Sequence, residues 1–167
     1  MGSRSRPQFP ATESLWAFRS FLLMFVYLVF SATAQSQQPA QNAVDYQPRS
    51  GDPWVDRHLA DINRYAARYP PSFADEVSRY YSVPRDYVEA MQQQPSWEAG
   101  DIFMACALAQ RIAQPCRVVV REWSRDHDEG WAGVATRVQV KPGTAPYRQL
   151  RKDIEQTYAR WARPLVK

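Results

Sequence analysis

The run Arg125-Asp126-His127-Asp128-Glu129-Gly130-Trp131 packs three carboxylates around one of the two histidines in the chain. An imidazole among carboxylates suits a metal site, a general base or a pH-sensitive contact. Calcium fails on inspection. The loop pattern D-x-[DN]-x-[DN]-G needs an acid or amide where Gly130 stands, and the twelfth residue counted from Asp126 is Arg137, not Glu. Zinc is no better served, because His58 is remote and no H-x-x-x-H or C-x-x-C pair exists. A helix end with charged residues, a turn at Gly130 and Trp131 packed inward accounts for the same run without chemistry. His58, within Asp56-Arg57-His58, falls on the polar side of an amphipathic pattern and reads as a solvated histidine. Hydrolytic catalysis would need a nucleophile in a recognisable setting, yet there is no G-x-S-x-G, no S-x-x-K and no Cys beside a His. The expectation is a protein that is not an enzyme, with no cofactor and no resident metal.

The N-terminus indicates where such a protein would work. Arg4, Arg6 and Arg19 precede an apolar run from Phe21 to Phe30, and Ala32-Thr33-Ala34 forms an A-x-A site before Gln35. A positive region, a short apolar core and a small-residue cleavage site make a secretory signal over residues 1–34, cut between Ala34 and Gln35. The apolar run is too short to span a bilayer, which takes about 20 residues. Leu15, Trp16 and Phe18 could lengthen it, so a retained anchor is the alternative. Cleavage leaves 133 residues, enough for one domain, and lowers the net charge from +4 to +2. A strongly basic nucleic-acid surface is therefore not implied.

Cys106 and Cys116 both lie beyond the signal, and exported domains tend to pair their thiols. The expectation is a disulfide, with one geometric objection. If residues 101–113 form a straight helix, Cys106 sits about two turns, or roughly 10 Å, from its end. A tight hairpin then holds the sulfurs too far apart, so the bridge requires an early helix end or a steep crossing. Two buried, unreactive thiols are the alternative.

The rest reads as helices punctuated by proline and glycine. Residues 35–51 are rich in Gln and Pro and predict a disordered leader. The folded domain, residues 52–167, opens with Asp52 as cap and Pro53 in the first turn of a helix carrying Val55, Leu59, Ile62, Ala66 and Tyr69. Ser72 predicts the cap of a second helix, Pro84 to about Gln93 a third, and Asp101 the cap of a fourth rich in small residues. Pro115 begins a fifth. Val118, Val119 and Val120 are strand-like, but a lone run without a partner does not make a sheet. Gly130 to Val140 predicts a sixth, and Thr144 caps a last helix with Tyr147, Leu150, Ile154, Tyr158 and Trp161 on one face. The fold class is all-α: an irregular bundle of six or seven short helices with one disulfide. Two segments, residues 73–91 and 130–150, have a helix-turn-helix outline in which Arg85, Arg148 and Arg151 could face DNA. The same outline is the general geometry of packed short helices.

The elements DIFMACALAQ, Pro115-Cys116-Arg117, Arg125-Asp126-His127-x-x-Gly130-Trp131 and Val140-Lys141-Pro142-Gly143 resemble a group of small exported bacterial proteins of unknown function. The resemblance covers about a quarter of the chain. It implies a secreted or periplasmic helical protein in which both cysteines belong to the pattern, which favours the disulfide. It carries no activity or catalytic residue, and Gln139 stands where such sequences prefer glycine.

These readings converge on an exported interaction or structural module of the cell envelope, periplasmic or secreted. Its partner would be an unknown envelope protein, with no nucleic acid, and with the membrane touched only through the signal segment. The candidate surface comprises Arg121, Arg125, Asp126, His127, Asp128, Glu129 and Trp131. The alternatives are a small envelope enzyme or metal-binding protein using Asp126 to Glu129, and a helix-turn-helix DNA-binding protein if the chain is not exported.

Overall fold

A computed structural model describes residues 46–167, and the signal, the cleavage site and most of the leader lie outside the described residues. Seven helices and no strand occur among the described residues: α1 (Pro53–Arg68), α2 (Pro70–Tyr81), α3 (Arg85–Gln92), α4 (Ala99–Arg111), α5 (Cys116–Arg125), α6 (Gly130–Arg137) and α7 (Ala145–Arg160). One disulfide joins Cys106 to Cys116. None of these helices is long and apolar enough to cross a membrane.

Helix α4 is the centre. Its composition is small and apolar on every side, so every residue from Gly100 to Ala109 is buried and α1, α2, α3, α5 and α7 all pack on it. Gly100 permits the closest approach, since a Cβ there would stand 2.7 Å from the Leu59 carbonyl of α1. Its N–H donates to Asn63 Oδ1 at 2.6 Å, so a side chain of α1 satisfies the first turn of α4. The cap position falls to Glu98, and Asp101, expected there, turns into the core instead.

Other boundaries moved for similar reasons. Pro70 and Pro71 occupy the first positions of α2, where a missing N–H costs nothing, so α2 starts before Ser72 and uses no side-chain cap. Asp52 and Thr144 do cap α1 and α7, accepting from Trp54 N–H at 2.9 Å and Tyr147 N–H at 3.3 Å. The three consecutive valines are helical, with Val119 in the core. Residues 46–51, part of the expected leader, pack against the domain without regular secondary structure, with Pro48 and Ser50 buried and left-handed backbone at Arg49 and Gly51.

The disulfide forms because α4 ends early. Ala113 adopts φ +53°, Gln114 N–H donates to the Ala109 carbonyl at 2.9 Å and Ala113 N–H to the Gln110 carbonyl at 3.2 Å, a Schellman closure. The chain reverses through Pro115, and Cys116, first residue of α5, returns with its Cα 4.3 Å from that of Cys106.

His58 is not solvated but 0% exposed, because α7 and the C-terminal segment cover the side of α1 that the sequence pattern left polar. Its Nδ1 donates to the Trp54 carbonyl at 2.7 Å and its Nε2 accepts from Val166 N–H at 3.3 Å, which fixes the neutral ring. Next to it, Asp61 accepts from Arg163 twice at 2.7 Å and from Tyr158 Oη at 2.9 Å. Burial opposes ionisation of Asp61, but the hydrogen bonds from Arg163, Arg64 and Tyr158 prevail and hold its pKa at about 2.

Reduction of the disulfide, or the double variant Cys106→Ser with Cys116→Ser, is expected to cost about 3 kcal/mol in urea unfolding, the chain-entropy value for a loop of this length. Acid acts through His58. Burial lowers its pKa below the usual 6.5, Arg57 and Arg151 push the same way, and Asp61 and the Trp54 carbonyl oppose. Its contribution to stability is complete above pH 6.5 and is lost as pH falls through the folded-state pKa, because only the unfolded chain takes up the proton readily. Unfolding free energy measured from pH 7.5 to 5 should fall in the native protein and stay flatter in His58→Gln.

Candidate functional site

The surface around the Asp126–Trp131 turn is built outward from one buried carboxylate. Asp101 Oδ1 accepts from Trp131 Nε1–H at 2.7 Å and from Tyr46 Oη–H at 2.8 Å. Burial pushes the Asp101 pKa up, and the hydrogen bonds from Trp131 and Tyr46 pull it back part of the way. The same burial, with the Asp101 charge beside it, holds the Tyr46 phenol protonated as a donor. Trp131, fixed at its indole nitrogen, stacks on Trp123 at 4.1 Å with planes 12° apart, and Trp123 stacks on His127 at 4.9 Å. His127 Nδ1 donates to the Trp123 carbonyl at 2.8 Å. Trp97, from the loop before α4, packs beside Trp123 at 6.4 Å. The result is a column of rings running from core to surface.

The backbone of the turn is held by groups far away in sequence. Arg137 of α6 donates from Nη2 to the Asp126 carbonyl at 2.5 Å and to the Glu122 carbonyl at 3.3 Å, and from Nη1 to Asp126 Oδ2 at 3.3 Å. One guanidinium thus satisfies the carbonyl end of α5 and fixes the first residue of the turn. The start of α6 is satisfied from the N-terminal segment, where Trp131 N–H donates to the Pro48 carbonyl and Ala132 N–H to the Arg49 carbonyl, both at 2.9 Å. Gly130, at φ +66°, makes room for that segment.

The predicted surface is thereby divided. Arg121, Asp128 and Glu129 are exposed and form no ion pair among the described residues. Arg125 pairs with Glu122 at 2.6 Å, Asp126 is held by Arg137, and His127 is exposed on its stacking partner. Trp131, 0% exposed, belongs to the foundation rather than the surface. Among the described residues no three His, Cys, Asp or Glu side chains are placed to hold a metal ion. Sequence reasoning missed Tyr46, Trp97, Asp101, Trp123 and Arg137. Only the i,i+4 spacing of Trp123 and His127 carried a usable signal.

The arginines of the helix-turn-helix outlines are engaged within the fold. Arg85 pairs with Asp75 and Glu89, both at 2.7 Å. Arg148 donates to the Gly143 carbonyl at 2.9 Å, and Arg151 pairs with Asp52 at 2.9 Å while lying over the Trp54 ring.

A Cβ at position 130 would stand 2.7 Å from both the Pro48 carbonyl and Arg49 Cβ, in a left-handed conformation that L side chains rarely adopt. Gly130→Ala is expected to cost about 2 kcal/mol or more, from left-handed strain of roughly 1–2 kcal/mol and the displaced segment. Amide exchange at Trp131 and Ala132 should accelerate selectively, reporting release of the Pro48 and Arg49 carbonyls. Comparison with known proteins finds no matching family model, no matching curated protein and no matching solved structure.

Proposed function

We propose that this chain is an exported, disulfide-stapled interaction module whose working surface is the outer face of α5 with the Asp126–Glu129 turn. The observation that carries the reading is the aromatic column. Half-buried Trp97 and Trp123 and exposed His127 pack together beside the turn that carries exposed Asp128 and Glu129, and Trp131, held by Asp101, anchors the stack from below. Aromatic anchors inside a charged rim are the anatomy of protein interfaces, and a preordered turn loses little entropy on binding. The disulfide supports an oxidising compartment, periplasmic or secreted. The signal-like N-terminus and the resemblance to small exported proteins favour the same compartment.

Photo-crosslinking residues introduced one at a time at positions 121, 125 and 128, in the protein expressed from its own N-terminus, are expected to give discrete adducts in the envelope fraction. Positions 152 and 155 on α7 should give none. Adducts of equal strength from both faces, or none from either, would overturn the assignment of the surface.

A further inference from the structure

Beside the proposed surface lies a cleft of about 160 Å³, walled by Val83, Pro84, Tyr87, Pro115 and Cys116, with Arg117 among its lining residues. Its walls are mostly apolar, and its size is close to that of a cavity which holds one benzene ring, roughly 150 Å³. Arg117, Arg121 and Arg125 follow from it along the exposed side of α5 at i, i+4 and i+8. Arg117 and Arg121 form no ion pair among the described residues, whereas Arg125 shares its charge with Glu122. Arg117 lines the cleft itself, and exposed Arg121 stands one helical turn further along α5, so the row of cations begins at the cleft.

The spacing defines the occupant. Four residues of helix advance about 6 Å. In an extended peptide, side chains on one face recur about every 6.6 Å. An extended chain laid along α5 therefore presents every second side chain to successive arginines, within the reach of flexible guanidinium groups. Carboxylates suit them best, through paired N–H donors.

We infer that the α3–α5 cleft and the arginine row of α5 dock an extended acidic peptide segment of a partner protein, with an apolar side chain in the cleft and acids at every second position after it. This rests on the proposed interaction surface and adds the chemistry of the partner. A net charge of +4 over the 167 residues, or +2 after the cleavage expected behind Ala34, is too small for the whole molecule to attract polyanions strongly, so the attraction is local to this row.

The test uses labelled peptides of sequence Leu-Ser-Glu-Ser-Glu-Ser-Glu and its isomer Leu-Ser-Ser-Ser-Glu-Glu-Glu, with fluorescence anisotropy on the disulfide-bonded protein. The alternating peptide should bind about tenfold tighter than its isomer. Replacing its Glu by Gln, or its Leu by Gly, should weaken it by a similar factor, as should Arg117→Glu or Arg121→Glu in the protein. Both arginines are exposed, and a circular dichroism spectrum will show that each variant keeps its helices. Equal binding of the two isomers, binding of phosphatidylglycerol vesicles or DNA with the same dependence on Arg121, or no binding of the alternating peptide would overturn the inference. Crosslinks at positions 121 and 125 without peptide binding would leave the surface standing and remove only its acidic partner. Loss of both would remove the surface as well.

Discussion

One buried carboxylate organises the N-terminal segment, α4 and the Asp126–Trp131 turn of this molecule. Asp101 sits in α4, the helix on which five others pack, and its Oδ1 collects the Trp131 indole N–H and the Tyr46 hydroxyl. A carboxylate in that position is costly without donors, and hydrogen bonds to a charged group return about 1.5–3 kcal/mol each. The two donors are therefore more than decoration. Trp131 orients the stack that ends at His127, and Tyr46 ties down the segment whose Pro48 and Arg49 carbonyls satisfy the start of α6. Core, turn and N-terminal segment share a single point of attachment.

The opposite side is organised by a different balance. There Asp61 is ionised against its own burial by Arg163, Arg64 and Tyr158, whereas burial dominates at Asp101 and raises its pKa. Two carboxylates in one small domain diverge because Asp61 faces guanidinium groups and Asp101 faces only neutral donors. The cationic partner is supplied by the C-terminal segment, and the same segment brings Val166 N–H to His58. Residues 163–166 thus hold α1 and α7 together through polar groups that an amphipathic reading of α1 assigns to solvent.

The all-α class, the apolar faces and the starts of α1 and α7 were legible because they rest on local rules: proline in the first turn, Asp52 and Thr144 as caps, apolar residues at helical spacing. The starts of α2 and α4 were read too late, at Ser72 and Asp101, because Pro70-Pro71 begin a helix rather than end one and α4 is satisfied from α1. Helix ends were much less legible. Ser82, Ala113, Gln139 and Ala162 all hold positive φ where a glycine would have marked the stop, and each lies in a Schellman-type closure. Without that mark α4 and α6 read too long by two and three residues, and the objection to the disulfide followed from the straight helix to residue 113. Gln139 holds φ +59°, a left-handed conformation that glycine adopts without cost. His58, Asp101 and Tyr46 were illegible for another reason: their partners are 30 to 108 residues away. The turn from Asp126 to Trp131 was visible as a cluster of unusual residues, but its division into exposed rim and buried foundation depended on Asp101 and Arg137.

Helix α5 has only ten residues, too few to be stable alone in water. It is held at its first residue by a covalent bond to α4 and at its last carbonyls by Arg137 from α6, and Trp123 is clamped between Trp131 and His127. On its inner side only Cys116 and Val119 are fully buried, so these restraints supplement a small apolar contact. Their effect is to fix the spacing of side chains on the outer face, where Arg117, Arg121 and Arg125 stand in a row. For the proposed peptide, a backbone fixed in this way would leave mainly side-chain entropy to be lost on docking, so that recognition would depend on register as well as on charge. The same disulfide that stabilises the domain also sets where that register begins.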